Sequence, residues 1–343
     1  MKIEVTSPTI RRKEMDAVLT AMVEEKIGPG DRSRLLIQTA KEHLKFDYAL
    51  ALRSPAVALY LALKALNVKN GQAVVISALS PRYYLQVLED LQLTPLYCDV
   101  NHDFPCINRE GIENVLAKKP SEMEIAAIVV HHTLGYVPDS ASIVELGIPV
   151  IEDISHSYKA VVNGVFCILG LEERDALTAG GGAILFAINR KDGTLLRNFT
   201  GIADEYCLPD INAALAVVQF KEMQRNLERR KEIANVYKQS SLRTRHKSFI
   251  MRASNEASGD EDDTNYYSFS LVLETGLKDV IAYAKRKDII LENAFERTIA
   301  GLGPCENCPV SNSLALRTVL FPMYPRLSAK DVDSVSRLIM TLP

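Results

Sequence analysis

Short apolar, β-branched runs alternate with helical spacings through the first two thirds of the chain. Ala73 to Ser77 (AVVIS) reads as a buried strand and Arg82 to Leu91 as the helix that follows it. Pro95 to Val100 (PLYCDV) gives a second strand, Gly111 to Lys118 a helix, and Ile125 to His131 (IAAIVVH) a third strand. A short helix over Ala141 to Leu146 leads to a fourth strand, Pro149 to Glu152. Runs that are apolar on both faces and separated by helices predict a mainly parallel sheet covered on both sides. From Pro209 to about Ser241 the spacing is helical throughout. Ile211, Leu215, Val218 and Leu227 fall near the helical period, Lys221, Arg225 and Glu228 lie between them, and Pro209 suits a first turn. The basic cluster Arg225, Arg229, Arg230 and Lys231, interleaved with Glu228 and Glu232, reads as the solvated face of that helix.

The last third is mixed. Tyr266 to Leu273 (YYSFSLVL) and Leu316 to Phe321 read as strands, and Leu277 to Lys287 and Ala329 to Met340 as helices. Ser328 is placed to cap the closing helix ahead of Asp331. Ser254 to Thr264 (SNEASGDEDDT) is polar and acidic, a composition that suits a disordered loop and not a metal site. The expected organisation is α/β: a large domain over residues 1–241, closed by the long helix 209–241, and a small C-terminal α+β domain over 242–343.

Composition narrows the function classes. In 343 residues, 47% are apolar and 24% charged, the balance of a globular chain that buries a sizeable core. A net charge of −3 provides no overall basic field for nucleic acid. The N-terminus shows no apolar run of signal-peptide type, and the longest apolar stretches, such as Ile125 to Val130, are too short to span a bilayer. A cytoplasmic protein with no membrane association is the expectation. Cys305 and Cys308 form a lone CxxC between Gly303-Pro304 and Pro309; without a second pair it reads as loop cysteines, with no metal site.

Seven segments carry a family resemblance, in order. Ser54 to Leu63 (SPAVALYLAL) resembles an SGTAALHLAL helix. Pro95 to Val100 resembles a strand ending in PVFvDV. His132-Thr133-Leu134-Gly135 with Pro138-Asp139 resembles HlyGqpaD, and Val150 to Asp153 resembles VIED. Gly181-Gly182-Ala183-Ile184 resembles a GEGG turn. The stretch Ile211 to Leu242, with RRKEIANVY inside it, and Phe321 to Pro325 with Leu327 to Val332 complete the set. Together they resemble the DegT/StrS sugar aminotransferases nearly end to end. That resemblance implies a fold-type-I PLP-dependent transferase architecture, a homodimer with sites at the interface, and transfer of an amino group to a keto-sugar linked to a nucleotide.

The same resemblance locates chemistry that is missing. Transamination needs an amine that forms an imine with the cofactor aldehyde and then shuttles protons, which lysine does once deprotonated. Counting back from Gly181, the family's lysine position falls on Arg174, and no lysine stands between Lys159 and Lys191. A guanidinium keeps its proton and cannot form the imine. The family's phosphate-binding Ser-Gly-Thr becomes Ser54-Pro55-Ala56, which loses an N–H and a hydroxyl. The ring-stacking aromatic aligns with Pro81, and the family's phosphate-binding serine with Leu169. By resemblance, Asp153 would face a pyridine N–H, His156 would lie beneath the ring, and Ser54 would remain near the phosphate. The other reading makes Asp153 the cap of a following helix. Arg174, Arg82 and Tyr83 are the candidate substrate or phosphate ligands, since a guanidinium clamps phosphate well; otherwise Arg174 pairs at the surface with Glu172 or Glu173. The leading expectation is a relative without transaminase activity that binds no covalent cofactor, with pyridoxal phosphate implied by resemblance only. Such a protein would serve a binding, regulatory or partner role with a possible nucleotide-sugar ligand. The rival is an active enzyme of the same family with an altered site.

Overall fold

The computed structural model describes residues 2–158, 161–197, 202–250 and 266–343. Two helices, α1 (Arg12–Val23) and α2 (Asp31–Leu44), precede the first strand, β1 (Tyr48–Leu52). Then come α3 (Pro55–Ala65), β2 (Ala73–Ser77), α4 (Tyr83–Asp90), β3 (Thr94–Cys98), α5 (Arg109–Lys118), β4 (Ile125–His131), α6 (Ser140–Val144) and β5 (Val150–Asp153). The chain continues through β6 (Phe166–Gly170), β7 (Ala183–Ala187), α7 (Arg190–Arg197), α8 (Asp210–Lys221) and α9 (Met223–Ser241). The C-terminal part holds β8 (Phe269–Val272), α10 (Leu277–Lys285), β9 (Glu292–Asn293), α11 (Pro309–Arg317), β10 (Thr318–Phe321) and α12 (Ala329–Met340).

Seven strands form one sheet in the order β1-β7-β6-β5-β4-β2-β3. The central strands from β6 to β3 run parallel, whereas β7 is antiparallel to both its neighbours. Strands β2, β6 and β7 are buried at every position, as expected where helices cover both faces. The fold is α/β with a smaller C-terminal α+β domain, whose sheet has the order β8-β10-β9. Strand order reverses between β4 and β2, so the crevice where open α/β sheets place their sites opens at the carboxyl end of β4, with the end of β5 beside it. His131 and Asp153 are register partners at that edge.

The helix expected over 209–241 is two helices. Glu222 breaks it at φ −92°, ψ 0°. The reason is packing: Ala213, Ala216 and Phe220 of α8 bury among α1, α2 and the large sheet, while Ile233, Ala234 and Tyr237 of α9 belong to the C-terminal core. Glu222 is held at the break by Lys13 at 2.5 Å. Arg230 is a further correction. It was placed on a solvated face, yet it is 9% exposed and turns into the C-terminal core, where Nη1 donates to the carbonyls of Tyr267 at 2.7 Å and Met323 at 3.0 Å. The acidic segment Ser254 to Thr264 lies outside the described residues. Ser328 caps α12 as expected, accepting from the Asp331 amide in a reciprocal capping box.

Candidate functional site

Asp153 ends β5 in the middle of the sheet and is 1% exposed. Both of its oxygens are engaged. Oδ2 accepts the hydroxyl of Tyr83 at 2.9 Å and that of Tyr84 at 2.8 Å. Oδ1 accepts the Ser155 amide at 3.0 Å and the Ser155 hydroxyl. A carboxylate offers about four acceptor directions, and here the protein fills all of them. Burial pushes the carboxyl up, but His131, the two Ser155 bonds and Tyr84 outweigh it, and Asp153 stays below the usual carboxylate range. Burial also drives His131 down to about 4 against the opposing pull of Asp153. At neutral pH His131 is neutral, its charge no longer pulls on Asp153, and the hydrogen bonds from Ser155, Tyr83 and Tyr84 are what favour the carboxylate. Neither alternative from the sequence describes this aspartate fully. It caps only the local Ser155 turn, and it anchors two tyrosines.

Tyr83 and Tyr84 start α4, and each phenol is pushed well above its ordinary range by burial, then by the Asp153 charge. His156 stacks face to face on Tyr267, with centroids 3.8 Å apart and planes 10° apart, and meets His131 edge-on at 4.9 Å. The face that would lie beneath a cofactor ring is thus covered by a side chain arriving from the C-terminal domain. Ser54 caps α3, its oxygen accepting the Val57 amide at 3.2 Å, with Pro55 in the first turn.

Arg174 does not point at Asp153. Its guanidinium makes a two-pronged pair with Glu292 of β9, while its carbonyl accepts the Tyr267 hydroxyl at 3.0 Å. The partner is Glu292, not Glu172 or Glu173. Arg82 likewise reaches across to backbone carbonyls, Glu296 at 2.7 Å and Arg297 at 3.4 Å. The structure therefore brings Asp153, Tyr83 and His156 together and leaves Arg174 and Arg82 fastening the two domains.

Sequence reasoning overlooked the next residue. Asp175 turns inward, accepting the Glu172 amide at 2.8 Å, and lies so close to Gly170 that a Cβ there would collide with it and with Ser155. Burial, then the neighbouring charges of Asp153 and Glu172, push Asp175 well above the usual carboxylate range. The signal available in sequence was Gly170, which leaves room for Asp175 and Ser155 to pack. Behind the sheet edge, His132 Nε2 meets Glu152 at 3.1 Å and His132 Nδ1 contacts Ser157, all three side chains fully buried. Glu152 also accepts the amides of Asn163 at 2.6 Å and Gly164 at 2.7 Å. This serine–histidine–carboxylate order is shut off from solvent among the described residues, and it ties β5 to the chain that follows.

The turn before β7 keeps the glycine conformations its sequence suggests, with Gly181 at φ +144° and Gly182 at φ +123°. It does not, however, bring a nucleophilic amine to the crevice. Leu169 and Leu171 fill the adjoining core with no exposure. The residues present do not fit pyridoxal phosphate: the aspartate that would meet its ring nitrogen is saturated, and no lysine lies between Lys159 and Lys191.

Among the described residues, no helix is long and apolar enough to cross a membrane and no three His, Cys, Asp or Glu side chains are grouped to hold a metal. Cys305 lies in a loop and Cys308 caps α11; burial first pushes the Cys308 thiol up to about 12, far from a reactive thiolate.

Known structures share this fold over nearly their whole length. The aminotransferase TlmJ from Streptoalloteichus hindustanus is 20% identical with a TM-score of 0.83, covering 98% of each chain. The putative sugar aminotransferase Spr1654 from Streptococcus pneumoniae, in its PLP form, is 17% identical with a TM-score of 0.85, over 99% of this chain and 98% of that one. GDP-4-keto-6-deoxy-D-mannose-3-dehydratase from E. coli, solved with bound hydrated PLP, is 13% identical with a TM-score of 0.83, over 99% of each. At these identities the likeness is one of fold. The sequence profile of the DegT/DnrJ/EryC1/StrS family matches residues 8–176 and 187–340. This chain belongs to the DegT/DnrJ/EryC1/StrS aminotransferase family.

Proposed function

We propose that this protein is a non-catalytic member of its family, a binding, regulatory or partner subunit on an aminotransferase scaffold. The observation that carries the reading is the saturated Asp153. Tyr83, Tyr84 and Ser155 supply four hydrogen bonds to it, so a pyridine N–H would have to displace a buried phenol. The absence of lysine from 160–190 and the Arg174–Glu292 pair agree with that reading. A nucleotide-sugar ligand and a place in cell-surface polysaccharide synthesis come with the family and form part of the proposal, as does a cytoplasmic location.

We further propose a homodimer. Met15, Leu19, Met22 and Val23 form an exposed stripe on α1 at helical spacing, continued by Ile27, and each is more than half exposed. Side chains of this kind at i, i+4, i+7 and i+8 mark a face that another surface covers.

The test is direct. The purified protein is incubated with pyridoxal phosphate, reduced with borohydride, and examined by mass spectrometry and for amino transfer from glutamate to nucleotide-linked keto-sugars. No adduct at the site and no turnover is the expected result. An adduct on a crevice residue, or sustained turnover, would overturn the reading and favour an active enzyme with a rebuilt site.

A further inference from the structure

A small cavity lies where α9 and the C-terminal sheet meet the loop between β6 and β7. It measures about 30 Å³ and is lined in part by Arg230, Arg174, Asp175, Tyr267, Thr6 and Ser7. Arg230 is 9% exposed. Among the described residues, its guanidinium makes hydrogen bonds through Nη1 alone, both to main-chain carbonyls, and no carboxylate stands within ion-pair distance. A buried cation without a counter-ion is costly and is normally found paired. Arg174 has its counter-ion in Glu292, so its charge is already balanced. The one uncompensated positive charge on the cavity is that of Arg230.

We propose that this cavity is a binding site for a small monovalent anion, a halide or the carboxylate of a small organic acid, with Arg230 as its principal ligand. The size supports a small group. One water needs about 10–15 Å³ on this measure, so about 30 Å³ gives room for a halide or a small carboxylate group and not for a nucleotide. The chemistry of the wall supports a single negative charge. Arg230 lines the cavity with Nε and Nη2 left over from its two carbonyl contacts, which Nη1 makes, and Thr6 and Ser7 line it too. Asp175 does not cancel the field, because burial, with Asp153 and Glu172 beside it, favours its neutral acid. In that form its O–H is a donor. Glu173 also touches the cavity but is an exposed rim residue, screened by solvent. Because Arg230 bonds the carbonyls of Tyr267 and Met323, and Tyr267 in turn covers His156 and bonds the Arg174 carbonyl, an anion here would brace the contact between the two domains. The inference does not depend on whether the crevice is catalytic.

Thermal midpoints are measured at fixed ionic strength while sodium chloride, or in a second series sodium acetate, replaces the sodium salt of a bulky sulfonate. A ligand bound only by the folded protein raises the midpoint with concentration in a saturable way. The expected result is such a rise with chloride, acetate or both, the two series telling a halide from a carboxylate. The rise should disappear in Arg230→Gln and shrink in Arg230→Lys, which keeps the charge and loses the planar fork. Crystals of the unaltered protein soaked in sodium bromide give a second reading that does not depend on a variant folding. An anomalous peak within hydrogen-bond distance of Arg230 is expected. Midpoints that stay unchanged as chloride and acetate replace the sulfonate, together with no bromide at Arg230, would overturn the proposal. So would an anion response that Arg230→Gln retains in full.

Discussion

Replacing Tyr84 by Phe removes one hydroxyl and changes little else, which makes it a clean probe of how Asp153 is sealed. The ring is fully buried and its hydroxyl lies 2.8 Å from Asp153 Oδ2. A hydrogen bond to a charged group contributes about 1.5–3 kcal/mol, and a neutral one about 0.5–1.5 kcal/mol. Water cannot reach the vacated position, so the full penalty applies. Tyr84→Phe should therefore destabilise the protein by about 1.5–3 kcal/mol. With a urea slope near 3 kcal/mol/M, that shifts the unfolding midpoint by about 0.5–1 M. Tyr83 makes a similar bond at 2.9 Å, but its side chain keeps some exposure, water can stand in, and Tyr83→Phe should cost less. The control is Asp153→Asn. An amide oxygen still accepts the phenol but carries no charge, so in that background Tyr84→Phe should cost only about 0.5–1.5 kcal/mol. Urea unfolding of the two single variants and the double variant, followed by circular dichroism, measures the difference. Equal costs in the two backgrounds would show that Asp153 is not an anion held by these hydroxyls, and the case against a cofactor at this position would lose its footing.

Asp175 carries the opposite sign. Its raised carboxyl contributes stability that is fully present below the unfolded carboxylate value, about 3.9, and lost as pH rises through the folded value. Asp175→Asn should therefore be more thermostable than the unaltered protein at pH 8, with the gap closing toward pH 4; a variant less stable at pH 8 would contradict the assignment. Ser328→Ala should cost about 1 kcal/mol through loss of the α12 capping box, read as a lower urea midpoint. The Arg174–Glu292 pair is partly solvated, with each side chain a little over a quarter exposed, so Glu292→Gln should cost no more than about 1 kcal/mol. Arg174→Lys alone should not create transaminase activity, because Pro55, Ala56 and the saturated Asp153 remain; turnover by that single variant would show that the crevice accepts the cofactor as it stands.

The parts of the fold written in local pattern were legible. Strands β2, β3, β4 and β5, helices α4 and α12, and the α12 cap all follow from apolar runs, helical period and a Ser-x-x-Asp signal; β2, β4 and α12 have the expected ends, and those of β3, β5 and α4 shift by one or two residues. The break at Glu222 was not legible, because residues 209–241 carry one helical period whichever core each half joins. The burial of Arg230 escaped for the same reason: its neighbours Arg229 and Lys231 make a charged run that looks solvated. The site was legible as a deficit and as the residues Asp153, His156 and Tyr83, but not as their arrangement. The missing lysine and the Pro55-Ala56 step stand in the sequence, but the pairing of Tyr83 and Tyr84 with Asp153 depends on where α4 begins, and the turn of Asp175 toward Gly170 depends on a loop with no period at all.

These deficits share one physical requirement. A carboxylate at the carboxyl end of a central strand, out of reach of water, needs donors from a ligand or from the protein itself. Here two phenols, an amide and a hydroxyl provide them, and the neighbouring imidazoles lie against each other and against Tyr267. The crevice is thus satisfied from within at Asp153. It is not satisfied at Arg230, a short distance along the same domain junction, where a charge of the opposite sign has only carbonyls for company. Among the described residues His131 Nε2 and His156 Nδ1 stay buried and unpaired beside Asp153, but they are neutral; the charge that lacks a counter-ion at this junction is that of Arg230. A search for a charged ligand belongs at Arg230.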